Sequence, residues 1–128
     1  MNRLVVDAPV IASWFDPDGD GRSLRGDYEA GGLAVIGPRH LPQDVLAELA
    51  REHSLEPERL GPVAVEVARL RFELQEPSLG GMARWIGRGL PAHRAAYVAL
   101  AHDLDLALVT DDDELHRLTP AARRPRDA

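Results

Sequence analysis

Short aliphatic runs alternate along this chain with longer stretches of helical spacing. Four runs read as buried strands: RLVVD (3–7), LAVIG (33–37), RFELQ (71–75) and LALVT (106–110). They are rich in Val, Leu and Ile and mostly lack the polar alternation of a half-wet sheet, so strands covered on both faces are expected. Between them, LPQDVLAELAREH (41–53) sets Leu41, Val45, Leu49 and His53 on one stripe, with Glu48 and Arg51 off it. GPVAVEVARL (61–70) and GGMARWIGRG (80–89) predict a helix pair punctuated by Gly61, Gly81 and Gly89. AHRAAYVALAHDL (92–104) is the clearest helix, with Pro91 well placed for its first turn. Strands alternating with helices predict an α/β fold of three layers, α/β/α, around a mostly parallel sheet.

No repeat and no long linker divides the chain, so residues 1–118 are expected to form one domain. The segment TPAARRPRDA (119–128) carries two prolines and three arginines and little to bury, and is expected to be a flexible charged tail. A length of 128 residues suits a single domain with a proper core. Apolar residues make up 45% and aromatics only 5%, which implies an interior packed with Ala, Val and Leu.

Charge and missing residue types narrow the chemistry. A net charge of −6 weighs against general attraction to phosphate backbones, although interspersed arginines leave room for a local basic patch. All 15 basic residues are arginine, so lysine chemistry is excluded, and the lack of cysteine excludes disulfides, thiolate metal sites and cysteine nucleophiles. The first apolar run is short and broken by Asp7, unlike a signal peptide or membrane span; no membrane association and a cytoplasmic location are expected.

In a parallel α/β sheet, sites form beyond the carboxyl ends of the strands, near the switch in strand order. Asp7 ends the first strand, Asp112 follows the last, and Asp44 lies in the first turn of the helix after the second. All three therefore belong at one edge of the sheet. Acids there also serve as helix caps and first-turn dipole partners, worth about 0.3–1 kcal/mol each. Three converging carboxylates, however, repel one another unless a cation, a shared proton or an arginine offsets the charge. Oxygen-only clusters suit Mg²⁺ or Mn²⁺, ions that activate water for phosphodiester cleavage.

Three blocks carry a family resemblance. LVVDAPVIASWFDPD resembles the opening of PIN-domain proteins of the VapC toxin type: a strand, Asp-Ala-Ser, then an apolar helix. GLAVIGPRHLPQDVLAELA is similar to their second block, and GLPAHRAAYVALAHDLDLALVTDDDEL to their C-terminal one, so the resemblance spans about residues 3–116. It implies a parallel sheet between helices, a homodimer, and Mg²⁺- or Mn²⁺-dependent endoribonuclease activity on RNA restrained by a partner antitoxin. Position by position, the family's acids correspond to Asp7, Asp44 (usually Glu, with Glu48 the runner-up) and Asp112. The remaining acid, expected three residues before Tyr97, is Arg94.

That departure bears on the chemistry. A guanidinium at Arg94 removes a ligand and places a permanent positive charge where the divalent cation would sit. It is positioned to pair with Asp7, Asp112 or both, or else to point into solvent. Pro9 replaces the usual Ser or Thr, and Asp44 is one methylene shorter than the usual Glu. His93 is adjacent, but neighbouring helix positions diverge by about 100°.

A second motif competes for attention. DPDGDGRSLRGD (16–27) has EF-hand spacing, with acids at Asp16, Asp18, Asp20 and Asp27 and with Gly21 in sixth place. Pro17, an Asp in twelfth place and Ser23 where an apolar residue normally packs all favour an acidic, glycine-rich turn over a calcium site.

Three functions follow as expectations. The first is a VapC-like endoribonuclease with a weakened metal site built on Asp7, Asp44 and Asp112. The second is a PIN-fold protein without catalysis that binds RNA or a protein partner. The third, from fold analogy alone, is a small-ligand module at the same cleft.

Overall fold

A computed structural model describes residues 1–16 and 22–128. Its elements run β1 (Asn2–Val6), α1 (Ala8–Ser13), α2 (Arg22–Glu29), β2 (Leu33–Pro38), α3 (Leu41–Arg51) and α4 (Pro57–Arg69). Then come β3 (Glu73–Gln75), α5 (Leu79–Gly87), α6 (Ala92–Leu104), β4 (Leu108–Val109), α7 (Asp113–Leu118) and β5 (Ala122–Arg123), with a closing 3₁₀ turn at Pro125–Asp127.

The five strands form an all-parallel sheet in the order β3-β2-β1-β4-β5, flanked by helices in a three-layer α/β/α fold. Both faces of the sheet are covered, so its central strands carry apolar side chains throughout: Val5, Val6, Ile36, Leu108 and Val109 are fully buried. Register brings Val5 beside Ile36 on one side and beside Leu108 on the other. The chain builds outward from β1 through β2 to β3, then returns to the far side of β1 for β4. The switch point therefore lies between β1 and β4.

The helices follow their patterns. In α3 Leu41, Val45 and Leu49 of the predicted stripe face the core, while His53, its fourth member, falls beyond the helix end at Arg51. Helix α6 is buried over seven consecutive residues, Ala95 to Ala101, because its alanines admit neighbours on every side. Its packing against α5 is close enough that a Cβ on Gly81 would lie 3.2 Å from the Ala99 Cβ. No helix among the described residues is long and apolar enough to cross a membrane.

Three expectations need correction. The third strand begins at Glu73 rather than Arg71, because Arg71 turns the chain with a left-handed φ of 52°. Residues 22–27, expected in a turn, belong to α2, while Asp18, Asp20 and Gly21 of the candidate calcium loop lie outside the described residues. The expected C-terminal tail instead supplies β5, which pairs with β4 through Leu108↔Ala122 and Val109↔Arg123. Ala122, Thr119 and Pro125 are buried there, and the docked backbone satisfies groups that an open β4 edge would leave unpaired.

Candidate functional site

Beyond the carboxyl ends of β1 and β4 lies a cleft of about 370 Å³. Asp7, Pro9, Asp44, Glu48, Arg51, His93, Arg94, Tyr97, Asp111 and Asp112 all contribute to its lining. The structure thus brings Asp7, Asp44 and Asp112 to one cleft, together with Arg94.

Asp7 is buried at the N-cap of α1. Its Oδ1 accepts from the Val10 N–H at 3.3 Å, which satisfies one of the orphan donors of the first turn. Burial pushes its carboxyl up to about 7, against the opposing pull of the Thr110 hydroxyl and the Val10 N–H; the charges of Asp111 and Asp112 add to the rise.

Asp112 caps α7 in the same manner, its Oδ1 accepting from the Leu115 N–H at 3.0 Å. Its own N–H donates to Thr110 Oγ1 at 3.0 Å, so one threonine hydroxyl touches both β-strand-end acids. The other carboxylate oxygen, Oδ2, accepts from Arg94 Nη2. Arg94 Nη1 reaches Glu114 Oε1 at 3.3 Å. Of the two partners expected for Arg94, Asp112 is present and Asp7 is not: Asp7 is already held by its cap and by Thr110, while Glu114 takes the second side of the guanidinium. Arg94 does not point free into solvent.

Asp44 occupies the first turn of α3 and is engaged from two sides. The buried Tyr97 donates its hydroxyl to Asp44 Oδ2 at 2.9 Å, and His40 Nε2 stands 3.3 Å from the same oxygen. The His40 and Tyr97 rings meet edge to face with centroids 5.7 Å apart. Burial, and then the nearby Asp44 charge, raise the Tyr97 phenol far above its usual range, so it acts as a donor and not as a base. Glu48, one turn on, has its carboxyl raised by partial burial and by Glu52.

His40, Thr110 and Glu114 were not singled out from sequence. His40 carried a usable signal, since it stands one turn before Asp44 in PRHLPQD. Thr110 and Glu114 matter through the reach of side chains between elements, which spacing does not encode.

A divalent ion is the cofactor that the family resemblance implies, and the residues do not fit one as arranged. Among the described residues no group of three or more His, Cys, Asp or Glu side chains is disposed to hold a metal ion. The guanidinium of Arg94 supplies the compensating positive charge for Asp112, and one oxygen of Asp44, Oδ2, is taken by Tyr97 and His40.

Fold and site together define a parallel α/β protein with an acidic cleft at its topological switch point. No protein-family model matches the chain, and no curated protein matches it. Among solved structures it is similar to PAE2754 from Pyrobaculum aerophilum, with a TM-score of 0.71 and 22% identity, covering 98% of this chain and 92% of that one. At that identity the likeness establishes the architecture alone.

Proposed function

We propose that the chain is a PIN-like protein of the VapC type whose cleft binds a partner and does not cleave RNA through a metal. The observation that carries this is the pairing of Arg94 with Asp112 and Glu114, an internal cation in the acidic cleft. Three ordered sequence blocks and the convergence of Asp7, Asp44 and Asp112 at the switch point support the family. The cleft lining counts five carboxylates (Asp7, Asp44, Glu48, Asp111, Asp112) against two arginines, Arg51 and Arg94. With a net charge of −6 besides, that balance favours a cationic segment of a protein partner over a phosphate backbone. An antitoxin-like protein would be such a partner; the resemblance also supports a homodimer.

A second reading, a weakened Mg²⁺- or Mn²⁺-dependent endoribonuclease, is favoured by one fact: the three candidate acids do line a single cleft. Metal titration followed by calorimetry, combined with a mixed RNA panel, separates the two. The wild type is expected to take up no Mn²⁺ at the cleft and to leave the RNA intact, while Arg94→Asp gains Mn²⁺ binding. Mn²⁺-dependent cleavage by the wild type that Asp7→Asn abolishes would sink the binding proposal.

A further inference from the structure

The run Asp111-Asp112-Asp113-Glu114 places four carboxylates on consecutive residues. Two arginines divide their charge alternately. Arg94, from α6, takes Asp112 and Glu114. Arg124, just beyond β5, takes the other two: Nη2 donates to Asp113 Oδ1 at 2.6 Å, and Nη1 donates to the Asp111 main-chain oxygen at 2.6 Å and lies 3.6 Å from its carboxylate. The backbone accounts for Asp112 standing apart from its two neighbours. Asp112 is extended (φ −73°, ψ 117°), so the side chains flanking it leave on the side opposite its own. The same segment holds the next residue back: the Thr110 N–H donates to the Arg123 carbonyl at 2.9 Å, and Thr110 in turn touches Asp7 and Asp112.

We propose that Arg124 is a positioning residue of the cleft. By holding Asp111 and Asp113 it leaves Arg94 committed to Asp112 and Glu114, which makes docking of the C-terminal segment a step in assembling the site. Without it, four like charges compete for one guanidinium, and Arg94 loses its fixed place at the cleft wall. The inference rests on Arg94 being the internal cation of the cleft, as argued above.

Arginine side-chain and backbone NMR on the full chain tests it, with far-UV circular dichroism to confirm folding. Arg124→Gln is expected to shift the Arg94 Nε–Hε resonance and the amides of Asp112 and Leu115, and Arg124→Lys to restore them in part. Should Arg124→Gln fail to fold, Arg124→Lys, which keeps the charge but loses the two-sided grip on Asp111 and Asp113, is expected to move the same signals by less. Shifts confined to Ala122 and Arg123, with Arg94, Asp112 and Leu115 unmoved, would show that Arg124 merely ties down β5 and overturn the proposal. Failure of the metal-exclusion reading is distinguishable, because it appears as Mn²⁺ uptake by the wild type whatever Arg124 does.

Discussion

Replacing Asp7 by Asn should flatten part of the dependence of stability on pH. Asp7 is 6% exposed, and burial lifts its carboxyl from 3.8 to about 7 on folding. Below about pH 4 the group is protonated in both the folded and unfolded chains, and its contribution is fully present. As pH rises, the unfolded chain releases its proton first, so the unfolded state gains and the folded state loses relative stability. The loss grows through the interval and levels off above about 7, where both states are ionised. At about 1.4 kcal/mol per pH unit, the full difference comes to about 4 kcal/mol. Asn keeps an oxygen for the Val10 N–H and has no proton to lose, so subtracting its curve isolates Asp7. Urea unfolding of both proteins at intervals from pH 4 to 9 measures it: the wild type should fall relative to Asp7→Asn between about 4 and 7, then run parallel. Two curves parallel throughout, or an Asp7 carboxyl ¹³C resonance titrating near 4, would refute the reasoning.

Tyr97→Phe leaves Asp44 without its 2.9 Å donor and should cost about 1.5–3 kcal/mol in chemical denaturation, since the bond is made to a carboxylate. Gly37→Ala would set a Cβ 2.6 Å from Leu41 Cδ2 and 3.2 Å from Leu41 Cβ, and Leu41 is fully buried; a loss of about 1–3 kcal/mol is expected from the same assay. Arg3→Ala breaks a 3.1 Å pair with Glu73 whose side chains are each 46% exposed, and the unfolding free energy should change by no more than about 0.5 kcal/mol.

The aliphatic runs announced β1, β2 and β4 because burial on both faces leaves a signature in composition. Strand β5 left none: Ala-Arg is two residues without an apolar run, and it is a strand only because β4 offers an open edge. Helix α7 is six residues, too short for periodicity to show. Within the site, strand-end logic located Asp7 and Asp112, and the first turn after β2 located Asp44. Their role as caps was also legible, and two of the three do cap helices. Which carboxylate Arg94 chooses was not. That choice depends on Asp7 being satisfied already by Val10 and Thr110, a fact of three-dimensional placement.

The shortness of the outer strands has a consequence for association. β3 and β5, three and two residues long, bound the sheet on its two sides. A strand from another chain needs a row of free amides and carbonyls to add itself, and margins this brief give it almost no footing. Growth of the sheet from one molecule into the next is thereby discouraged. Contact between copies then falls to surfaces where side-chain shape decides the fit instead of backbone pairing.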